Sequence, residues 1–291
     1  MNLTAPSEVK ALLDQLDLRP SKVLGQNFLI DANILRILLA AAELRQSDQV
    51  LEVGPGLGVV TEWLERWAGR VVAIEKDRRL FEHLKDRFAK SDRVELIHAD
   101  VLDVDLAKLL AGGINKMVAN LPYSIASRLL VTLIQSPQPP ERMVITVQKE
   151  VAHRLNAKPE TKDYGLLSIL TQLRYDVVIE KDVRPTCFLP APEVHSSIVN
   201  LQLLEQPPTV ADVDQLTALL KLAFSRRRKQ LHTVLASEFH ADGRAIADRM
   251  LAGIGVRAEA RPENVLPAEW AAFSNALVRE GLRLASPTES P

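Results

Sequence analysis

Cysteine is nearly absent from this sequence, and long apolar segments are missing. The 291 residues include one cysteine, Cys187, which excludes an internal disulfide and a zinc site built from thiolates. The longest apolar run, residues 37–42, is far short of the ~20 residues that a membrane-spanning helix needs. The first residues lack the basic start and apolar core of a signal peptide. We therefore expect a cytoplasmic protein without membrane association.

Neither sign of charge is in excess. Lys and Arg total 36 and Asp and Glu total 37, so the formal net charge is −1. This balance excludes a chain whose whole surface is basic, such as a histone, but it permits a local basic patch. The six histidines are scattered without the spacing of metal ligands, and we expect no metal site.

The first two-thirds of the sequence alternates strand-like and helix-like segments. Buried strands are predicted at residues 50–53, 71–74, 94–97, 117–119 and 143–147, and further strands at 176–183 and 196–203. Helices are predicted between them at 59–68, 77–89, 103–111 and 124–135, and an earlier helix begins after a capping residue, Asp31. This alternation is typical of a parallel sheet with helices on both faces. We predict an α/β domain over residues 1–205, in which residues 1–45 form a helical extension.

A different pattern begins after a Pro-Pro pair at residues 207–208. Helical patterns follow at residues 211–224, 226–238, 243–253 and 267–281. The sequence therefore predicts a smaller all-helical domain over residues 206–284. The last residues, 285–291, are rich in proline and serine, and we expect a disordered tail.

A glycine-rich turn follows the first predicted strand. Gly54, Gly56 and Gly58 have G-x-G-x-G spacing, which differs from the G-x-G-x-x-G of dinucleotide-binding enzymes. Glycines allow a tight turn and a close approach of the backbone to a ligand. The neighbouring Glu52 favours a cationic or zwitterionic ligand over a pyrophosphate. The glycines alone are also compatible with an ordinary turn between a strand and a helix.

Carboxylates end the next two predicted strands. Glu75 can accept hydrogen bonds from both hydroxyls of a ribose, and Asp100 can accept one from the exocyclic amine of an adenine. Together with the glycine turn they indicate an adenosyl ligand without phosphates, and this favours a binding site over an ordinary turn. S-adenosyl-L-methionine is the predicted cofactor.

The segment NLPY at residues 120–123 follows the fourth predicted strand. A sulfonium methyl has a good leaving group, whereas an adenine amine is a poor nucleophile because its lone pair is delocalised into the ring. The side-chain carbonyl of Asn120 and the backbone carbonyl of Leu121 can both accept from this amine and hold it in line. Pro122 keeps Leu121 extended, and Tyr123 offers a face on which an extruded base can stack. The alternative is a proline-containing turn with the tyrosine in the core.

Several motifs occur in an order that resembles the KsgA/RsmA family of ribosomal RNA adenine dimethyltransferases. They are GQNFLID at 25–31, LEVGPGLG at 51–58, AIEKD at 73–77, HADVL at 98–102, NLPYSIAS at 120–127, FLPAPEVHSS at 188–197 and FSRRRKQL at 224–231. The resemblance covers about residues 20–280. It implies a Rossmann-like class I methyltransferase sheet followed by a smaller helical domain. It also implies dimethylation of the N6 atoms of two adjacent adenosines near the 3′ end of 16S rRNA in the immature small subunit.

The resemblance also implies roles for individual residues. Cofactor contacts are implied for Asn27, Leu29, Gly54, Gly56, Glu75, Asp100 and Asn120. Phe188 would supply a second aromatic face for the target base, opposite Tyr123, although composition alone places a phenylalanine in the core. A catalytic group of Asn120, Leu121, Pro122, Tyr123 and Phe188 is therefore expected.

A basic run lies in the second predicted domain. Its cations, without an intervening acid, are Lys221, Arg226, Arg227, Arg228 and Lys229. Such a run is often only the solvated face of a helix. In a candidate RNA enzyme it favours contacts with phosphates.

Two other functions remain open on the sequence. One is an Erm-type methyltransferase of 23S rRNA, which shares most cofactor motifs; the full FLPAPEVHSS segment and the length of the helical domain favour the small-subunit enzyme. The other is a non-catalytic assembly or transcription factor on the same fold, against which the intact cofactor motifs argue. We expect a monomer.

Overall fold

The computed structural model describes residues 2–21, 24–238 and 243–284. The predicted tail at 285–291 lies outside these residues. The chain forms two compact units, of which the first comprises residues up to Ala152 together with Asp176–Leu203. The second comprises His153–Tyr175 and the residues from Leu204 onward. Within the described residues, no helix has both the length and the apolar character to cross a membrane.

The strands form a large sheet and a small one. In chain order they are β1 (Phe28–Leu29), β2 (Gln49–Val53), β3 (Arg70–Glu75), β4 (Val94–His98), β5 (Lys116–Asn120), β6 (Arg142–Gln148), β7 (Tyr175–Val183), β8 (Phe188–Leu189) and β9 (Ser196–Leu203). The large sheet has the order β4-β3-β2-β5-β6-β9-β7, and β1 pairs with β8 in the small one. The strands β2 to β6 pair in parallel, whereas β9 is antiparallel to β6. The predicted α/β sheet is thereby confirmed.

The order of the strands creates a crevice at the carboxyl edge of the sheet. From β2 the chain adds β3 and β4 on one side, and it then returns to add β5 and β6 on the other. Ligands of open α/β sheets bind where the strand order reverses in this way. The glycine turn after β2 and the NLPY segment after β5 therefore lie on the two sides of that crevice.

The helices cover the strands and build the second unit. In chain order they are α1 (Pro6–Gln15), α2 (Ala32–Ala42), α3 (Val59–Trp67), α4 (Arg78–Arg87), α5 (Leu106–Ala111), α6 (Ala126–Gln135), α7 (Lys149–Leu155), α8 (Leu166–Gln172), α9 (Val213–Ser225), α10 (Leu231–Ala236), α11 (Gly243–Gly253) and α12 (Pro267–Arg279). Asp31 caps α2 as predicted, because its carboxylate accepts from the amides of Asn33 and Ile34. The predicted helix at 226–238 is wrong over its first residues, since α10 begins only at Leu231 and residues 226–229 form a turn.

An ion pair is buried at the amino edge of the sheet, opposite the crevice. Lys116 begins β5, and its Nζ lies 2.9 Å from a carboxylate oxygen of Asp48. The same Nζ donates to the backbone carbonyls of Ala42 and Glu43, which end α2. Lys116 and Asp48 are only 7% and 3% exposed. The ammonium of Lys116 thus links the end of α2 to the central strands through hydrogen bonds and an ion pair.

Residues 153–175 belong to the second unit, although they were expected in the first domain. Tyr164 donates its hydroxyl hydrogen to the carbonyl of Val265 at 2.7 Å. Its ring contacts Phe224 of α9, which in turn contacts Trp270 of α12. These aromatic side chains bury the segment against α9 and α12, whose residues Phe224 and Trp270 follow Tyr164 by 60 and 106 positions in the chain. The expected boundary failed to include this segment because α8, lying between two strands in the sequence, looks like one more helix that covers the sheet.

Candidate active site

A cleft of about 1050 Å³, which includes space open to solvent, occupies the crevice at the carboxyl edge of the sheet. It is lined by the glycine turn, the ends of β3, β4 and β5, and the residues around β1. The structure brings into it every residue that was expected to contact the cofactor: Asn27, Leu29, Gly54, Gly56, Glu75, Asp100 and Asn120. A single cleft therefore unites strand ends that lie far apart in the sequence.

The glycine turn adopts a conformation that other residues rarely reach. Gly54, Gly56 and Gly58 have φ values of 67°, 60° and 85°. A Cβ on Gly54 would lie 3.2 Å from the ring of Pro122, and one on Gly56 would lie 3.1 Å from the ring of Phe28. The turn is therefore closely packed against the NLPY and GQNFL segments.

Glu75 is buried at the end of β3 and supports this turn. Its carboxylate accepts from the amide of Gly56 at 3.1 Å and from the amide of Asp77 at 2.8 Å. Burial raises the pKa of Glu75, and these two hydrogen bonds partly oppose the shift. A carboxylate held from both sides is a rigid acceptor, as recognition of a ribose diol requires.

The carboxylate of Asp100 forms an ion pair with a lysine that the sequence patterns did not identify as a site residue. One oxygen accepts from the amide of Leu102 at 3.0 Å, and the other lies 2.6 Å from Nζ of Lys76. The hydrogen bond from Lys76 is the main reason why the pKa of Asp100 is lowered. Lys76 also lines the cleft. Its position directly after the ribose-binding candidate Glu75 is the signal that could have identified it.

The amide of Asn120 has a defined orientation. Its Nδ2 donates to the backbone carbonyl of Asn27 at 2.9 Å. Its Oδ1 is buried and has no hydrogen-bond partner among the described residues. The next residue, Leu121, is buried, and its amide donates to the carbonyl of Thr146 in the adjacent strand β6. The acceptor atom of Asn120 is therefore available at the edge of the cleft, and the donor atom is engaged.

The two aromatic residues expected to enclose the target base differ in their environment. Tyr123 is half-buried, and its hydroxyl lies 2.5 Å from Oγ of Ser196. Phe188 is only 2% exposed and belongs to the same core cluster as Leu29 and Leu35. Neither aromatic is among the described residues that line the cleft. The packing of the Phe188 ring in this core cluster argues against the second aromatic face expected there.

Glu52 is a buried carboxyl beside the glycine turn. It is 2% exposed, and its Oε2 lacks a hydrogen-bond partner within the described part of the chain. Burial raises the pKa of Glu52 to about 8; the neighbouring Thr61 opposes the shift, and the Glu75 carboxylate adds to it. The side chain lines the cleft and is therefore an unpaired acceptor facing a ligand site.

The raised pKa of Glu52 predicts a pH-dependent stability. The unfolded chain releases this proton near the ordinary value of 4.5, whereas the folded chain retains it up to about 8. The free energy of unfolding should therefore fall as the pH rises through this window, and the Glu52→Gln variant should lose that part of the slope. Urea denaturation between about pH 5 and pH 9 measures the difference. The exposed Glu95→Gln variant is the control, and identical slopes for Glu52→Gln and the wild type would contradict the assignment.

The five cations of the basic run differ in their exposure and in their partners. Lys221, Arg226, Arg228 and Lys229 are exposed. Arg227 instead turns inward: its Nε pairs with Glu263 at 2.6 Å, and its other nitrogens donate to the carbonyls of Thr161 and Lys162. The prediction that Arg227 binds phosphate therefore needs correction, because its guanidinium already holds parts of the second unit together.

Comparison with known proteins identifies close relatives of nearly the same length. The family described as "Ribosomal RNA adenine dimethylase" matches residues 18–277. "Ribosomal RNA small subunit methyltransferase A" of Geobacter metallireducens is 40% identical over 269 residues, which cover 91% of this chain and 98% of the relative. The protein of that name from Alkaliphilus metalliredigens is 39% identical over 94% of this chain and 96% of the relative.

The solved structures that this chain resembles include a dimethyladenosine transferase and a methyltransferase. A dimethyladenosine transferase from Plasmodium falciparum has a TM-score of 0.76 and 25% identity, covering 88% of this chain and 98% of its own. The 23S rRNA methyltransferase ErmE has a TM-score of 0.63 and 26% identity over 87% of this chain and 100% of its own. The expected Rossmann-like methyltransferase sheet with a helical C-terminal part is confirmed. Because the family match spans residues 18–277 and the relatives match over more than nine-tenths of both chains, the chain belongs to the ribosomal RNA adenine dimethylase family.

Proposed function

We propose that this enzyme dimethylates the N6 atoms of two adjacent adenosines near the 3′ end of 16S rRNA while the small ribosomal subunit matures. The curated relatives carry the name of a small-subunit methyltransferase, and the family is one of adenine dimethylases. The observation that carries the proposal is Asn120, whose Oδ1 is buried without a partner in the described chain while its Nδ2 is anchored to Asn27. A buried, oriented acceptor suits an amine that must be held in place.

The polar groups of the cleft fit S-adenosyl-L-methionine. The Oε2 atom of Glu52, which has no partner among the described residues, suits the ammonium of the methionine part, and the rigid carboxylate of Glu75 suits the ribose. Asp100 suits the adenine amine, provided that Lys76 shares or releases one oxygen. Asn27 and Leu29, from the segment around β1, line the methionine side of this site in our proposal. When bound, the cofactor supplies a methyl group activated by a sulfonium.

The protein's own contribution is to prepare the nucleophile. In the first transfer, Asn120 Oδ1 accepts one hydrogen of the target amine, and the backbone carbonyl of Leu121 accepts the other. In the second transfer the monomethylated amine retains one hydrogen, which one of the two acceptors holds. These acceptors favour a pyramidal nitrogen whose lone pair is directed at the methyl group. Pro122 has no N–H to compete with the amine. After transfer the nitrogen loses a proton to water, so a dedicated general base is unnecessary.

Methylation of isolated subunits tests the proposal. The protein is incubated with labelled S-adenosylmethionine and unmethylated small subunits, with large subunits in parallel, and the modified base is then mapped. We expect label at adjacent adenosines of 16S rRNA. Label in 23S rRNA would instead favour the Erm-type activity, which the similarity to ErmE keeps as the second candidate. Cofactor binding without transfer to either subunit would favour a non-catalytic factor.

We further propose that the second unit contacts rRNA through its exposed cations, and that the enzyme acts in the cytoplasm as a monomer. An Arg226→Ala/Arg228→Ala variant should bind rRNA more weakly than the wild type. The dependence of log K on log salt should flatten by about one unit for each phosphate that the variant no longer neutralises. Affinity measurements at several salt concentrations determine this slope.

Arg227→Ala is the matched control for these cations. Because Arg227 is bonded to Glu263 and to two backbone carbonyls, its removal should lower the thermal stability and leave the salt slope nearly unchanged. A salt slope that stays the same in the Arg226→Ala/Arg228→Ala variant would show that these cations bind no phosphate.

A further inference from the structure

The hydroxyl of Tyr123 is held by a residue outside the NLPY segment. Its oxygen lies 2.5 Å from Oγ of Ser196, which is 73 residues further along the chain. Burial raises the pKa of the Tyr123 phenol, and the hydrogen bond with Ser196 opposes the shift. The phenol therefore remains a neutral hydrogen-bonding group near neutral pH, and it can donate to the serine oxygen or accept from it.

The backbone of Ser196 is held in place by the strand pairing of the large sheet. It is fully buried and is the first residue of β9, where it pairs with Gln148 of β6. The residue before it, His195, accepts a hydrogen bond from the amide of Lys149 at 2.9 Å. The serine hydroxyl therefore has little freedom to move away from the tyrosine.

We propose that Ser196 is a positioning residue that sets the orientation of the Tyr123 ring for stacking of the target base. The inference rests on the proposed function and on the stacking role that the sequence predicts for Tyr123. The ring is held at one end by the backbone of the NLPY segment and at the other by Ser196, which fixes χ1 and the direction of the ring axis. The phenol oxygen lies on the axis of χ2 rotation, so the bond restrains the plane of the ring only through the preference of phenol hydrogen bonds for that plane. A face with a fixed orientation costs less conformational entropy when a base stacks on it. The same restraint keeps the stacked base in line with the acceptor on Asn120.

Removal of the serine hydroxyl tests this role. Ser196→Ala should lower kcat about three- to tenfold, the equivalent of one hydrogen bond, and should leave the affinity for S-adenosylmethionine unchanged. Ser197→Ala is the matched control, because Ser197 is also fully buried in β9 but donates its hydroxyl hydrogen to Asp182. Its kcat should equal that of the wild type. Ser196→Thr retains a hydroxyl and should recover most of the missing rate.

A double-mutant cycle separates positioning from general damage to the fold. Tyr123→Phe removes the other partner of the same hydrogen bond and retains the ring. If the hydrogen bond acts through the ring, Ser196→Ala should have no further effect on kcat in the Tyr123→Phe background. Additive losses, or equal kcat values for Ser196→Ala and Ser197→Ala, would overturn the proposal. If Ser196→Ala does not fold, a wild-type kcat for Tyr123→Phe overturns it as well.

Failure of this inference can be distinguished from failure of the proposed function. Tyr123→Ala removes the stacking face itself. If Tyr123→Ala loses activity while Ser196→Ala and Tyr123→Phe retain it, the stacking role stands and only the positioning role is wrong. If Tyr123→Ala is fully active, the stacking role is wrong and the positioning role is wrong with it.

Discussion

Asn120→Ala should lower kcat for methyl transfer by about 10²–10³-fold or more, the loss typical when one oriented polar group is removed from a reacting centre. The side chain offers an unpartnered buried Oδ1 at the cleft, and its Nδ2 is already committed to the carbonyl of Asn27. Alanine cannot accept a hydrogen bond from the target amine. Affinities for rRNA and for S-adenosylmethionine should change little, because most of the residues proposed to contact each ligand lie elsewhere. Single-turnover methylation and separate binding titrations measure these effects.

The matched control for this variant is Asn200→Ala. Asn200 lies in β9, and its Nδ2 donates to Glu180 at 3.0 Å. Its removal deletes an amide from the same sheet outside the candidate site, and kcat should remain that of the wild type. Loss of rRNA binding and of transfer to the same extent in Asn120→Ala would indicate that Asn120 supports the fold and not the reaction.

Lys116→Met should lower the free energy of unfolding by about 3–5 kcal/mol, which is the usual cost of removing one partner from a buried ion pair. The substitution leaves the carboxylate of Asp48 and the carbonyls of Ala42 and Glu43 without their shared cation. Burial raises the pKa of Asp48, but hydrogen bonds from Asn115 and Lys116 outweigh it, and the net shift is downward. The stabilisation is therefore present above the ordinary aspartate pKa and is lost as the pH falls through the lowered one.

Urea denaturation at neutral pH measures the loss, with Lys149→Met as the matched control. Lys149 pairs with Asp182 at 2.5 Å, but the two side chains are 41% and 49% exposed. A surface pair of this kind contributes at most about 1 kcal/mol. Equal effects of the two substitutions would mean that the Lys116 pair contributes no more than a surface pair.

Much of the fold follows from local patterns that the sequence carries. The parallel strands are short segments rich in valine, leucine and isoleucine, the cap at Asp31 is a local hydrogen-bonding pattern, and both are confirmed. The pairing of β1 with β8 was not predictable, because two-residue strands have no period and their partners are distant in the chain. The resemblance placed Phe188, a residue of β8, beside the target base, whereas its ring packs in the core as composition alone suggests.

In the candidate site, too, some features were predictable from the sequence and others were not. The carboxyl ends of parallel strands share one edge of a sheet, so polar residues that end such strands are expected to lie together, and Glu75, Asp100 and Asn120 do line one cleft. Side-chain partnerships such as Lys76 with Asp100 depend on tertiary geometry and were missed. The inward turn of Arg227 was missed for a related reason: five neighbouring cations look alike in a sequence.

The close packing of Gly54 against the ring of Pro122 has a consequence for protein engineering. A Cβ on that glycine would lie 3.2 Å from the proline ring, so the turn beneath the proposed cofactor site and the segment proposed to receive the base are closely packed against each other. In a chimera that takes only one of the two segments from a distant methyltransferase, the turn and the NLPY segment would no longer have matching side chains, and they would pack poorly. The two motifs should therefore be exchanged as a pair, and libraries that aim at a new acceptor base should vary both at once.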